Sequence, residues 1–174
     1  AESALADGYR IKIYDSFRPN MATRSIYDLT ESIIQNPLPE APYLEDVDIE
    51  ELNLPEPFEG AEAVTYYQLV TNGVYDLGNF LARSGSYHNL GIAMDMTLER
   101  ADSHEELEMQ TRMHDLSWYS ATRENNQNAY LLASYMTAAG FGGLTSEWWH
   151  FQDVGTKNEL NLTNYMWSGG ASAG

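Results

Sequence analysis

Ser86-Tyr87-His88-Asn89-Leu90-Gly91-Ile92-Ala93-Met94-Asp95 constrains this chain more than any other stretch. A histidine precedes a carboxylate, with a glycine between them where the backbone can turn tightly. From Ile92 onward the segment alternates. Ile92, Met94, Met96 and Leu98 are large and apolar, whereas Ala93, Asp95 and Thr97 are small or polar. A period of two predicts a strand with one face on the core. Asp95 then points into the opposite, open face, and a carboxylate in an otherwise buried strand must find a cation or incur a large cost.

The sequence contains no cysteine. This excludes disulfides, thiolate metal sites and cysteine nucleophiles, and leaves His, Asp and Glu to hold a metal. Ser146-Glu147-Trp148-Trp149-His150-Phe151 offers a second histidine and a second carboxylate in an aromatic frame. With oxygen and nitrogen donors only, zinc (Zn2+) is the expected ion, held by three protein ligands with a fourth position open. His88, Asp95 and His150 are the candidate ligands, while His104 and His114 have no comparable context. Glu147 and His150 would face opposite ways in a regular strand, so a bend is predicted near Trp148-Trp149. Glu147 is then the candidate general base, with Trp149 as a dry wall beside the substrate. Arg18 follows a predicted strand end and precedes Pro19, which places a guanidinium where it could stabilise an oxyanion.

The remaining order is mixed. Residues 2–7 read as a helix end stopped by Gly8, residues 9–14 as a strand, and residues 19–35 as a helix with Ala22, Ile26, Leu29 and Ile33 on its apolar stripe. Residues 36–60 carry five of the six prolines, many acids and no Lys or Arg, and read as an exposed insertion or flap. Residues 61–83 look helical in pieces. Glu99 to Glu108 reads as an acidic hairpin or loop, Met109 to Leu116 as an edge strand, and Asn125 to Ala139 as a helix stopped by Gly140. Residues 141–151 are strand-like, and 167–174 form a small-residue tail expected to fray. Helices mixed with separated strands predict an α+β fold, a small central antiparallel sheet flanked by helices, in one domain over 1–166. The formal charge of −17 argues against nucleic-acid binding, and no apolar run reaches membrane-spanning length. Ala1 reads as a processed or truncated end.

Ser86-x-His88-x-x-Gly91-x-Ala93-x-Asp95 followed by Glu147-x-Trp149-His150 resembles the signature of the zinc D,D-peptidases that trim peptidoglycan precursors. Within that group, Asp15-Ser16-Phe17-Arg18-Pro19 and the Glu-Trp-Trp-His form are similar to the VanX-type D-alanyl-D-alanine dipeptidases. The resemblance spans residues 14 to 151. It implies the hedgehog/D,D-peptidase-like fold, with His88, Asp95 and His150 as zinc ligands, Glu147 as base and proton shuttle, and Arg18 as transition-state stabiliser. It further implies that Ser86 lies at the substrate, where Trp149 is another candidate. It also implies an aspartate that holds the substrate's free amino group; Asp115 is the candidate, with His114 able to occupy that position instead. The family's further N-terminal structure is missing from this sequence, and residues 36–60 look inserted.

The expected activity is hydrolysis of D-Ala-D-Ala by Glu147-assisted attack of a zinc-activated water, in the cytoplasm as for the VanX-type enzymes. The alternatives are a D,D-carboxypeptidase acting on muropeptides, in keeping with an extracytoplasmic site, and a zinc-binding interaction module without activity. An acidic calcium-binding surface would rest on residues 40–59, which lack the spaced Asp/Asn-Gly loop of such sites. Oligomeric state is not legible.

Overall fold

The computed structural model describes residues 1–35, 70, 76–121 and 126–160. Four antiparallel strands form its sheet, in the order β1-β2-β4-β3, and helices pack against it, which is the expected α+β class. Helix α1 (Glu2–Ala6) gives way to Gly8 at φ +87°, a left-handed position that glycine occupies without Cβ strain. Strand β1 (Tyr9–Asp15) follows. The Pro19 carbonyl then accepts the amides of Ala22 and Thr23 and so opens α2 (Asn20–Gln35).

Strand β2 (Ala93–Arg100) is interior, paired with β1 on one side and with β4 (His150–Asp153) on the other; β3 (Phe141–Gly143) lies beyond β4. Helix α3 (Gln127–Ala138) starts at Asn126, whose side chain accepts the amides of Asn128 and Ala129, and is followed by Gly140 at φ +88°. A short α4 (Val154–Glu159), capped by the Asp153 carboxylate, was not foreseen from the sequence, since six residues are too few to show a helical period.

One face of the sheet carries the core. Met96 and Leu98 of β2 and Phe151 of β4 pack with Leu132 and Met136 of α3 and with Ala4 of α1. Leu98 and Leu132 are fully buried, each contributing about 2 kcal/mol by loss of apolar surface from water. The opposite face carries Asp95 and Thr97. These were expected on an open face, yet they are only 3% and 1% exposed; around Asp95 that face is filled by His88, His114 and His150.

In β1, Ile13 pairs with Met96 but Asp15 pairs with Asp95, so Tyr14 is an extra, bulged residue. The Tyr14 hydroxyl donates outward to Glu106, as does the Lys12 ammonium. The bulge puts Asp15, rather than Tyr14, on the same face as Asp95.

Two local readings are corrected. Along α2 the buried residues are Thr23, Thr30, Ile33 and Ile34, while Leu29 is exposed. The stripe is rotated because threonines with satisfied hydroxyls take inward positions: Thr23 Oγ1 accepts from Asn89, and the Thr30 hydroxyl donates to the Ile26 carbonyl. Residues 109–116 form no strand. Side chains hold this stretch instead of a ladder, with Gln110 Nε2 donating to the Ala121 carbonyl and Thr111 Oγ1 accepting from Trp148 Nε1. Of 61–83, expected to be helical in pieces, Val70 is helical and Leu77–Asn79 is a 3₁₀ turn, while 61–69 and 71–75 lie outside the described residues. Glu99 to Glu108 does form a hairpin, closed by a Glu99–Glu106 bridge. The proline-rich 36–60 segment and the 167–174 tail lie outside the described residues. No helix among the described residues is long and apolar enough to cross a membrane.

Candidate metal centre and catalytic cavity

The first ligand stretch is a 3₁₀ turn, Tyr87–Leu90, closed by Gly91 at φ +70°. Asn89 fixes this turn in place. Its Oδ1 accepts the Ser86 amide at 2.7 Å, and its Nδ2 donates to the Arg18 carbonyl at 2.7 Å and to Thr23 Oγ1 at 2.8 Å. The Arg18 amide in turn donates to the His88 carbonyl at 3.1 Å. The ligand turn, the arginine loop and α2 are thereby locked to one another. His150 comes from the first residue of β4, directly opposite Asp95 in the ladder. The turn at Trp148-Trp149 is the bend expected from the sequence, and it lets Glu147 and His150 share one site.

His88, Asp95 and His150 are buried and present their donor atoms to one point. His150 Nδ1 lies 3.2 Å from Asp95 Oδ1 and 3.2 Å from His88 Nε2, and His88 Nε2 lies 3.3 Å from Asp95 Oδ1. A tetrahedral ion with bonds of about 2.0–2.1 Å has donor–donor edges of about 3.3–3.4 Å. The three atoms are spaced as three corners of such a site. The His88 Nδ1–H donates to the Ser16 carbonyl at 2.8 Å, which leaves the Nε2 lone pair aimed at the centre of a neutral ring. The residues fit a zinc ion.

Burial alone would push the Asp95 carboxyl up, but the imidazoles around it, His114, His150 and His88, together overturn this and hold it well below its usual range. Burial would lower His88, yet the bond and charge of Asp95 and the Ser16 carbonyl outweigh it and leave the imidazole raised. Glu147 behaves in the opposite way to Asp95. Burial pushes it well up, the Asp95 charge adds to this, and Arg18 and the Trp149 indole N–H offset only part. Two carboxyls in one site thus have their affinities for a proton driven apart, as a ligand and a proton carrier require.

A cavity of about 140 Å³ gathers His88, Asp95, His150, Glu147, Arg18 and Ser86 in its wall, with Trp149 beside them. Glu147 Oε2 stands 3.9 Å from His150 Nδ1, next to the ligand triangle but not part of it. Arg18 Nε donates to Asp15 Oδ2 at 2.8 Å, Nη2 donates to the same oxygen, and Nη2 lies 3.8 Å from Asp95 Oδ2. The Ser86 hydroxyl is buried and has no hydrogen-bond partner among the described residues.

Asp115 is not brought to the cavity. Its Oδ1 accepts the Ser117 amide at 2.9 Å and its carbonyl accepts from the Ser120 hydroxyl. Its neighbour His114, at a left-handed φ of +63°, lines the cavity instead. Sequence reasoning assigned no role to Asp15 or Asn89. The i,i+3 spacing of Asp15 and Arg18 was the available signal for the first; nothing local marks the second.

The profile of the D-ala-D-ala dipeptidase family matches residues 53–167. The chain belongs to this family. Two D-alanyl-D-alanine dipeptidases are similar to it, from Escherichia coli (strain K12) and Enterococcus faecium. Each is 26% identical over 86% of this chain, covering 58% and 65% of the respective relatives. The chain thus spans about three-fifths of the length of these curated family members. Among solved structures, the zinc complex of a mutant vancomycin-resistance D,D-pentapeptidase VanY is 16% identical. It covers 92% of this chain and 70% of its own, with a TM-score of 0.44.

Proposed function

We propose that the chain is a zinc-dependent D,D-peptidase that hydrolyses D-Ala-D-Ala. The observation that carries this reading is the triangle of His88, Asp95 and His150 donors with Glu147 and Arg18 on the wall of the same cavity. Membership of the D-ala-D-ala dipeptidase family supports it. A volume of about 140 Å³, below the roughly 300–1,000 Å³ of pockets for drug-sized ligands, supports a small substrate. When bound, zinc would act as a Lewis acid on the scissile carbonyl and bring the pKa of water there towards ~7.

The chain's own residues supply the rest. Glu147 takes the proton of the attacking water and delivers it to the departing amine, a shuttle suited to a carboxyl whose proton affinity is raised. Arg18, held rigid by Asp15, donates to the oxyanion as it develops. Trp149, 1% exposed, keeps water from that wall, and the Ser86 hydroxyl, unpaired among the described residues, is free to bond the substrate. We place this activity in the cytoplasm.

One observation favours a second reading, a D,D-carboxypeptidase acting on longer muropeptides. Each cavity carboxylate among the described residues is already committed: Asp15 to Arg18, Asp95 to the ligand triangle, Glu147 to proton transfer. None remains to pair with the ammonium that a free dipeptide carries next to the scissile bond. Metal analysis with assays on D-Ala-D-Ala, L-Ala-L-Ala and a D-Ala-terminated pentapeptide tests both. Cleavage of the pentapeptide alone selects the second reading. Zinc-loaded protein inert on all three sinks the enzymatic assignment.

A further inference from the structure

We propose that His114 is a positioning residue for the metal centre, holding the outer oxygen of Asp95 so that only Oδ1 is offered to the ion. The two oxygens of Asp95 have separate partners. Oδ1 meets His88 and His150, whereas Oδ2 lies 3.2 Å from His114 Nε2. An ionised carboxylate only accepts hydrogen bonds, so the proton of this contact is on His114 Nε2. Arg18 cannot replace it, because its Nη2 is 3.8 Å from Oδ2 and is committed to Asp15.

The loop is built to keep the imidazole there. The His114 ring stands edge-on to Trp149, at 5.8 Å between centroids and 90° between planes. The backbone at φ +63° lies in the left-handed region, where a non-glycine residue is held against a steric cost. The Asp115 bonds to Ser117 and Ser120 fix the next residue. A carboxylate with both oxygens on the ion would fill the position that water and substrate need. An N–H on the second oxygen keeps Asp95 to one oxygen and the fourth position open.

This inference rests on the zinc reading and not on peptide hydrolysis. The test is zinc affinity by chelator competition, with the visible spectrum of the cobalt form, for wild type, His114→Ala and His114→Gln. Gln keeps an N–H at the position of Nε2. Metal-free unfolding is followed in parallel, so that lost folding is not read as lost metal. His114→Ala is expected to weaken zinc by about 10–100-fold and to replace the intense bands of a four-coordinate cobalt ion with the weaker bands of a five-coordinate one. His114→Gln is expected to stay within about threefold of wild type with its spectrum unchanged. Unaltered affinity and spectrum in His114→Ala overturn the proposal, as does an equal loss in His114→Gln. In zinc-loaded wild type, ¹⁵N NMR of the imidazoles must find Nε2 of His114 protonated; a bare Nε2 overturns it whether or not the variants fold. Wild type that binds zinc but cleaves none of the peptides sinks the hydrolase reading alone. Wild type that binds no zinc sinks both.

Discussion

Asp15 and Asp95 stand opposite each other in register across β1 and β2, with the Arg18 guanidinium bonded to the first and 3.8 Å from the second. Like charges directly opposed on a sheet repel unless a cation lies between them. Arg18 therefore neutralises this pair, in addition to the oxyanion contact proposed for it. Arg18→Ala is expected to lower kcat by about 10²–10³-fold, the usual cost of one lost oxyanion donor, and to lower Tm as well. Asp15→Asn relieves the repulsion but loosens the guanidinium, so a smaller fall in kcat, about tenfold, is expected without loss of Tm. Steady-state kinetics and thermal unfolding of both variants separate the two tasks. Equal kinetic losses would mean that Asp15 does more than hold Arg18.

Glu147→Gln should abolish turnover and leave zinc bound. It should also stabilise the metal-free protein at neutral pH, by about 1 kcal/mol or more. The folded state raises the Glu147 pKa, so the folded protein holds that proton more tightly than the unfolded chain does. The associated stability is complete below the unfolded value near 4.5 and is lost as pH rises through the raised folded value. Gln carries no charge to bury and escapes that loss. Denaturant melts at pH 5 and pH 8 should show the variant's advantage growing with pH; an advantage that shrinks would contradict the burial argument.

Zinc affinity should fall steeply on mild acidification. The raised His88 pKa means that protons compete for its nitrogen from a higher pH than at an ordinary histidine, whereas the depressed Asp95 offers no competition until far lower pH. Binding should release protons, in an amount that grows as pH falls through the His88 range. Isothermal titration in buffers of different ionisation enthalpy measures this release, and stripping the metal with a chelator should lower Tm at neutral pH.

Gly91→Ala should cost about 1 kcal/mol from backbone strain alone. Among the described residues a Cβ there would meet only a Phe17 ring carbon at 3.8 Å, an ordinary contact that adds nothing to the penalty of φ +70°. Thermal unfolding gives the cost. A loss several times larger would show that the ligand turn tolerates no relaxation.

The residues with chemistry were the legible part. The spacing of His88 and Asp95 is a weak signal by itself; the alternation over 92–98, which revealed β2, and the bend expected at Trp148-Trp149 are what drew Asp95, Glu147 and His150 into one candidate site. The end of α3 was marked by a glycine stop, whereas its cap at Asn126 emerged only from the structure. What stayed hidden depends on partners distant in sequence. The rotation of α2 is set by Asn89 reaching Thr23, and the loop at 109–116 by bonds to Ser120 and Trp148. His114, on the cavity wall beside buried Asp115, has a left-handed φ, and histidine, unlike glycine, gives no advance notice of it.

The bulge at Tyr14 makes the arginine's anchor a matter of chain length as well as of residue type. Insert one more residue between Ile13 and Asp15, with the bulge kept, and the carboxylate falls opposite Met94 on the other side of the sheet, with every ligand, the base and the arginine still present in the sequence. A relative altered in this way would pass any residue-by-residue inspection as intact and yet have its guanidinium unmoored. In such comparisons the spacing from Ile13 to Arg18 is as informative as the identities of the residues within it.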